Sequence, residues 1–241
     1  MIKYNNSNIN DWNFSVDNIA KAYYNGSVCY QKLISGGTPP TPVLPSGYTQ
    51  VEYVESTGNT GLNLQTTANQ NTRMVAVMQI TTSTNGRLWG CGGFDQSLTN
   101  GWQFDYENNV LKISWGTIAG WTTYYDCTAD TDVHEYDWDR NYFYRDKGTA
   151  NEFSATTTFG NFQTTDPIAL FCNYQQAWGG MENYWQGKCY SCQLYNDGTL
   201  IRDLVPCTRD SDSKAGMYDL VNDVFYYPPS GKADLVAGNP V

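Results

Sequence analysis

Short apolar runs separated by glycine and asparagine turns are the feature that most restricts the fold of this chain. Four such runs are clear, at residues 73–80, 109–115, 167–173 and 187–195. The run at 73–80 is apolar on both faces, which is typical of a central strand in a two-layer sandwich. No segment carries a sustained 3.6-residue apolar repeat with helix caps. The pattern therefore predicts an all-β fold, built as an antiparallel β-sandwich or jelly roll.

Two hairpin turns are predicted in the C-terminal half. Residues 196–199, Asn-Asp-Gly-Thr, are expected to join two strands, because asparagine, aspartate and glycine accept positive φ values. Residues 222–223, Asn-Asp, are expected to join the apolar pairs on either side of them.

Charge restricts the partners of the chain. Its 241 residues include 14 Lys and Arg against 24 Asp and Glu, a net charge of -10. Phosphate backbones are bound by clustered basic residues, and the sequence contains no such cluster, so a nucleic-acid partner is not predicted. The longest apolar runs are a few residues, which predicts no membrane-spanning helix.

The seven cysteines are an odd number, and the N-terminal residues do not form a signal segment. This combination predicts free thiols in a reducing cytoplasm. Cys189 and Cys192 have the C-x-x-C spacing of a zinc or redox site, but the single histidine, His134, is distant in sequence. On a strand Tyr190, Cys192 and Leu194 share one face, so Cys192 is interpreted as a core residue.

A proline-rich segment divides the chain into three predicted parts. Four of the nine prolines fall within residues 35–47. Proline fixes φ and lacks the amide donor, so this stretch is expected to be a semi-rigid linker. It separates an N-terminal segment, residues 1–34, from a large domain, residues 48–241.

The N-terminal segment contains a predicted β-hairpin at residues 21–30, KAYYNGSVCY. Asn-Gly between aromatic and β-branched residues is a strong signal for a two-residue hairpin turn. An isolated hairpin is marginally stable, so the segment is expected to pack on another surface and to anchor the chain. The residues predicted to make that anchor are Tyr23, Tyr24, Asn25, Gly26 and Tyr30.

Three segments resemble known families. Residues 44–58 read LPSGYTQVEYVESTG, residues 190–207 read YSCQLYNDGTLIRDLVPC, and residues 216–222 read GMYDLVN. Together they resemble the opening and closing stretches of laminin-G-like, concanavalin-A-like jelly-roll domains of bacteriophage virion proteins. Residues 21–30 resemble short repeats found at the start of phage tail and fibre proteins.

The resemblance implies a phage virion structural protein, a head or tail fibre or decoration subunit that is not an enzyme. It implies attachment to other virion proteins through residues 1–34, a homotrimer, and assembly in the host cytoplasm for display on the virion surface. It also implies adhesion to host surface polysaccharide. A free carbohydrate-binding lectin module is the alternative, because a fold does not specify function.

Carbohydrate binding is predicted in the aromatic, glycine-containing loop at residues 173–185. Sugar sites stack aromatic rings on apolar sugar faces and add amide and carboxylate hydrogen bonds. The candidate residues in this loop are Tyr174, Gln175, Trp178, Asn183 and Trp185, and further aromatic candidates outside it are Trp102, Trp121 and Tyr124.

The acidic segment at residues 133–139, VHEYDWD, gives a second alternative. On a strand Glu135, Asp137 and Asp139 point to one face. The segment resembles the acidic strand of laminarinase-type glycoside hydrolases, in which two carboxylates flank the scissile bond. A solvated acidic face without catalysis is the preferred interpretation.

No cofactor or metal is predicted. A structural calcium ion is the remaining alternative, at Asp126, Asp130 and Asp132. Calcium takes six to eight oxygen ligands, and this run lacks the glycine-anchored loop of an EF-hand.

Overall fold

The computed structural model describes residues 44–93, 100–117, 120–156 and 160–241, together with four short strands before residue 32. For residues 120–127 it describes the backbone alone. The chain divides into two compact units, Met1–Val43 and Leu44–Val241. No helix among the described residues has the length and apolar character needed to cross a membrane.

The described strands of the first unit form two antiparallel pairs. β1 (Lys3–Tyr4) pairs with β2 (Ser7–Asn8), and β3 (Lys21–Tyr24) pairs with β4 (Ser27–Gln31). Tyr24 is paired with Ser27, which is the hairpin register that the sequence predicts. The predicted anchor residues Asn25 and Gly26, and the side chains of Tyr23, Tyr24 and Tyr30, lie outside the described residues.

Across its described residues, the second unit is built from strands joined by turns and one short 3-10 helix, Gln176–Trp178. Its strands are β5 (Tyr48–Gln50), β6 (Val54–Thr57), β7 (Leu62–Asn69), β8 (Thr72–Ile80), β9 (Gly86–Cys91), β10 (Gly101–Glu107), β11 (Val110–Thr117), β12 (Gly120–Thr128), β13 (Val133–Asp139), β14 (Tyr142–Arg145), β15 (Phe153–Thr156), β16 (Gln163–Leu170), β17 (Asn173–Gln175), β18 (Gly180–Glu182), β19 (Gln186–Asn196), β20 (Thr199–Arg209), β21 (Lys214–Asp219), β22 (Val224–Tyr226) and β23 (Val236–Ala237).

These strands form two sheets across the described residues. Sheet 1 has the order β12-β11-β10-β9-β16-β7, and β17 adds to β9 in parallel and carries β18. Sheet 2 has the order β15-β14-β13-β8-β19-β20-β21-β22, with β5, β6 and β23 paired to its flanks. The chain crosses between the sheets several times, as in a jelly roll. The all-β, antiparallel sandwich that the sequence predicts is therefore confirmed.

The core between the sheets is rich in aromatic rings. Trp102 of sheet 1 stacks on Trp138 of sheet 2, with ring centroids 4.6 Å apart. Phe104 lies beside Trp89 in its own sheet, at 4.5 Å, and against Tyr136 of sheet 2, at 5.1 Å. All five side chains are buried. Aromatic pairs of this kind hold the two sheets together and contribute about 0.5–1.5 kcal/mol each beyond the area they bury.

β8 occupies the centre of sheet 2, between β13 and β19, as the apolar run at 73–80 predicts. Met74, Ala76 and Met78 point into the core and are fully buried. The opposite face of the strand is half-buried rather than covered by a second layer.

A β-bulge in β19 changes which residues face the core. The pairing with β8 shifts between Cys189 and Ser191, so Cys189 and Cys192 both point inward and are fully buried. Cys192 is a core residue, as predicted. Tyr190 does not share its face, because the extra residue of the bulge returns Tyr190 to the outer, half-buried side.

Both predicted hairpin turns lie near their expected positions. Asn196 pairs with Thr199, and Asp197 and Gly198 have φ values of 49° and 76°, as a two-residue turn with two left-handed positions requires. The second turn is longer than the sequence predicts. Asp219 pairs with Val224, so the connection comprises residues 220–223.

Candidate functional site

The outer face of sheet 1 carries an unusually polar row of side chains on β10. Trp102, Phe104 and Tyr106 of this strand are buried in the core. Because successive side chains alternate, Gln103, Asp105 and Glu107 project from the opposite face. Gln103 is buried there, Asp105 is half-buried and Glu107 is exposed.

β9 places Arg87 and Gly90 beside this row. Arg87 is paired with Asp105 and Gly90 with Gln103, and a bulge separates the two pairs. A Cβ on Gly90 would lie 2.8 Å from Asn173 Oδ1 and 3.2 Å from Gln103 Cγ. Glycine is therefore required where the side chains of β10 and β17 meet over β9.

A network of buried side-chain amides holds Arg87 in place. Arg87 Nε donates to Gln103 Oε1 at 2.9 Å, and Gln103 Nε2 donates to the Gly92 carbonyl at 2.9 Å. Asn173 Nδ2 donates to the same carbonyl at 3.0 Å and to Glu182 Oε1 at 3.3 Å. Gln103 and Asn173 are almost completely buried. A satisfied polar network of this kind rigidifies the groups it contains.

In front of this network lies an open cleft of about 230 Å³. Its lining combines amides, carboxylates, a guanidinium and backbone, and it consists of Asn85, Gly86, Arg87, Asp105, Tyr106, Glu107 and Asn183.

Asp105 is the most unusual group in the cleft. Its Oδ1 lies 2.8 Å from Arg87 Nε. The Nε hydrogen is directed to Gln103, so the contact is an ion pair without an aligned hydrogen bond, and Oδ1 has no hydrogen-bond donor among the described residues. Burial raises the pKa of Asp105 to about 6 despite the opposing effect of Arg87.

Glu107, at the mouth of the cleft, has a different environment. Its Oε2 lies 2.8 Å from Lys112 Nζ, and this hydrogen bond lowers the pKa of Glu107 from its usual value. Both residues retain access to solvent.

Asn183 forms the opposite wall of the cleft. Its carbonyl accepts the backbone N–H of Arg87 at 3.0 Å, and its own φ of 52° lies in the left-handed region. The side chain is exposed at the cleft. Among the predicted glycan residues whose side chains the structure describes, Asn183 is the one that lines the cleft.

Trp185, Gln175 and Tyr174 do not belong to the described lining of the cleft. Trp185 is fully buried and stacks on Phe171, with centroids 6.1 Å apart. A buried indole cannot stack on a sugar, so the assignment of Trp185 is corrected. Gln175 is 4% exposed and is corrected for the same reason, whereas Tyr174 is half-buried. Trp178 lies in the 3-10 helix, and its side chain is outside the described residues.

The aromatic candidates outside the segment at residues 173–185 are one buried residue and two whose side chains are not described. Trp102 is a core residue, 1% exposed, and is also corrected. The side chains of Trp121 and Tyr124 on β12 lie outside the described residues. Sequence reasoning missed Arg87, Gln103 and Asp105, although the alternation of aromatic and polar residues along β10 is a signal that could have indicated them.

The acidic segment of β13 lies on the outer face of sheet 2. Asp137 is 2% exposed and accepts two hydrogen bonds from Arg73, at 2.7 and 2.8 Å, and one from Lys147 at 3.3 Å. The expected solvated acidic face is wrong at this residue, because its neighbours bury it in ion pairs. Burial and the adjacent Asp137 raise the pKa of Glu135.

Asp130, a member of the predicted calcium alternative, faces protein donors. Its Oδ1 lies 2.7 Å from His134 Nε2 and 2.9 Å from the Asp132 amide nitrogen, and its Oδ2 lies 3.7 Å from Arg145. The described residues contain no group of three or more His, Cys, Asp or Glu side chains arranged to hold a metal. The side chain of Asp126 lies outside them.

Comparison with solved structures finds matches of low similarity. The crystal structure of a native heptameric SAP-like pentraxin from Limulus polyphemus is 9% identical, covers 80% of this chain and 95% of its own, and has a TM-score of 0.40. Two structures of scytalido-glutamic peptidase with transition-state analogues are 14% and 13% identical. They cover 78% and 82% of this chain and 99% and 100% of their own, with TM-scores of 0.28 and 0.26.

No protein-family model and no curated sequence matches the chain. These similarities are too low to assign a family or a ligand.

Proposed function

We propose that the sandwich unit is a carbohydrate-binding domain and that its binding site is the cleft on the outer face of sheet 1. The observation that carries the proposal is a solvent-open cleft lined by amides and carboxylates and supported by buried amides. Sites for polar ligands combine a concave surface with a few fixed polar groups, and this cleft has both.

The cleft supplies the chemistry that sugar hydroxyls require. The carboxylates of Asp105 and Glu107 accept hydrogen bonds from hydroxyl groups, and the amides of Asn85 and Asn183 both donate and accept. Arg87 is held in place by Gln103, so its guanidinium does not have to be ordered when a ligand binds.

The test is a glycan array probed with the full chain, followed by calorimetry on the bound glycans. We expect binding that Asp105→Asn and Asn183→Ala each weaken at least tenfold. The matched control is Asn151→Ala, which removes an exposed amide in the connection between β14 and β15 of sheet 2 and is expected to leave affinity unchanged. Binding that survives both cleft substitutions would overturn the assignment of the site.

We propose that the bound glycan is not cleaved. Glu135 and Asp139, which resemble the carboxylate pair of a hydrolase, lie on either side of Asp137 in the sequence. Asp137 itself accepts hydrogen bonds from Arg73 and Lys147. Incubation with any glycan that binds should therefore release no new reducing ends. Release that disappears in Glu135→Gln would replace this proposal with the laminarinase-like alternative.

We also propose that the domain needs no metal, because Asp130 already contacts His134, Arg145 and a backbone amide. Affinity for the array ligands should be the same in EDTA as in millimolar calcium. A calcium requirement would restore the calcium alternative.

We propose further that residues 1–34 attach the sandwich to other virion proteins on the surface of a phage particle, as a homotrimer. The support is the resemblance of residues 21–30 to phage repeats and the pairing of β3 with β4. Native mass should fall from trimer to monomer when residues 1–34 are deleted, and immunogold should label intact particles. A monomer in both forms with no label would remove the virion role and favour the free lectin.

A further inference from the structure

Among the described residues, the lining cation Arg87 and the neighbouring Lys112 are each paired with a carboxylate of the cleft lining. Arg87 Nε lies 2.8 Å from Asp105 Oδ1, and Lys112 Nζ lies 2.8 Å from Glu107 Oε2. An acidic ligand would have to separate one of these pairs to obtain a cation.

The charge of the cleft lining also disfavours acidic ligands. The lining residues include two carboxylates, Asp105 and Glu107, against one guanidinium, Arg87. The chain itself carries a net charge of -10. A third carboxylate, or a sulfate or phosphate, would therefore enter a cleft of its own sign, and like charges placed side by side at a binding site reduce affinity.

One further cation lies near the loop that bears Asn183. The ammonium of Lys232 sits 4.7 Å from the centroid of the Tyr184 ring. Lys232 does not belong to the lining of the cleft. It therefore offers a cation whose removal changes the local charge without changing the cleft wall.

From this arrangement we propose that the cleft selects uncharged sugars and excludes uronates, sialic acids and sulfated or phosphorylated glycans. The inference rests on the proposed function and names its ligand class. A neutral sugar donates its hydroxyls to Asp105 and Glu107 while the ion pairs stay intact. An acidic sugar gains no unpaired cation in exchange for the repulsion.

The experiment compares neutral and acidic oligosaccharides of equal length at equal density on one array, using the full chain at pH 7.5. We expect signals on neutral glycans alone, and calorimetric affinities that change less than twofold between 50 and 300 mM NaCl, because no net charge is neutralised on binding. Glu107→Lys reverses the charge of this side chain at the mouth of the cleft, and the variant should bind acidic glycans as well as neutral ones. Lys232→Gln is the matched control and should change neither specificity nor affinity.

The outcomes separate this inference from the proposed function. Acidic glycans bound by the unmodified chain and lost in Asp105→Asn would overturn the charge selection while supporting the cleft as the site. A blank array, or binding that no cleft substitution alters, would overturn the proposed function and the inference together. Selection of neutral glycans that Glu107→Lys leaves unchanged would overturn the electrostatic cause.

Discussion

The two outer faces of the sandwich each hold an aspartate beside an arginine, and the two pairs differ in how completely their hydrogen bonds are satisfied. Asp137 on sheet 2 receives two aligned bonds from Arg73 and one from Lys147. Asp105 on sheet 1 has an ion-pair contact with Arg87, whose Nε donates to Gln103 instead. The first pair is complete within the protein, whereas the second leaves at the cleft a carboxylate with one buried oxygen that has no aligned donor. The two aspartates have the same charge and the same kind of neighbour. The number of hydrogen bonds that each carboxylate already accepts within the protein distinguishes the structural ion pair from the candidate binding site.

The largest expected effect tests the structural pair. Asp137→Ala leaves Arg73 and Lys147 without their shared partner, and removal of one member of a buried ion pair is strongly destabilising. Because both cations keep some access to solvent, we expect a loss of about 3 kcal/mol in the free energy of unfolding. Urea denaturation at 25 °C measures it, and the affinity of the remaining folded protein for glycan should be unchanged. A loss below about 1 kcal/mol would show that the pair is not structural.

The second effect has the opposite sign. Asp105 has a folded pKa raised from 3.8 to about 6, so the folded state holds this proton more tightly than the unfolded chain does. The associated stability is fully present below pH 3.8 and is lost as the pH rises through about 6. Asp105→Asn cannot lose a proton, and at pH 7.5 it should be more stable than the unmodified chain by about 2 kcal/mol.

Urea denaturation at pH 7.5 and pH 4 checks this second prediction. The advantage of Asp105→Asn should disappear at pH 4, where the unmodified carboxyl is protonated in the folded state. The same variant should lose glycan binding. A gain in stability together with a loss of binding is the pattern of a group that is kept for its ligand.

The third effect tests the amide network behind the cleft. Gly90→Ala introduces a Cβ close to Asn173 and Gln103 and should cost about 1–2 kcal/mol, because packed side chains must move. Displacement of Gln103 should also weaken glycan binding. Gly160→Ala is the matched control, since a Cβ there meets nothing within 4 Å, and it should change stability by less than about 0.5 kcal/mol. Equal effects in the two variants would contradict the proposed role of the network.

The smallest effect concerns the cleft mouth. Glu107→Gln breaks the ion pair with Lys112, in which both side chains reach solvent. Pairs of this kind contribute little, so the midpoint of urea unfolding should correspond to a change within about 0.5 kcal/mol. Neutral glycans should still bind, because Glu107 is exposed and water competes for its hydrogen bonds, whereas Asp105 is half-buried. A complete loss of binding would show that the negative charge itself is required.

The parts of the fold that depend on local chemistry could be predicted from the sequence. The turn at 196–199 follows from residues that tolerate positive φ, and the central position of β8 follows from its apolar run. The side on which Tyr190 lies could not be predicted, because a single-residue bulge in β19 reverses the alternation after Cys189.

The candidate site was harder to predict for a related reason. Asn183 was found because its loop is polar and rich in glycine, and such loops carry function. Arg87 and Asp105 lie on separate strands whose register contains a bulge, so their proximity depends on non-local pairing. Trp185 has the composition of a ligand-binding residue and yet is fully buried beside Phe171. Residue type alone does not tell which aromatic side chains reach the surface.

The stacked pair of Trp102 and Trp138 joins the two sheets through indole rings 4.6 Å apart and 22° from coplanar. Chromophores so close couple their electronic transitions, and the coupling vanishes once the rings separate. Circular dichroism in the indole absorption bands should therefore contain a paired positive and negative signal that reports contact between the sheets. Trp138→Phe would remove the signal between the sheets and leave, as the background, the coupling of Trp102 with Trp89 of its own sheet, whose ring centroids are 6.2 Å apart. The circular dichroism signal therefore reports whether the two sheets are packed against each other.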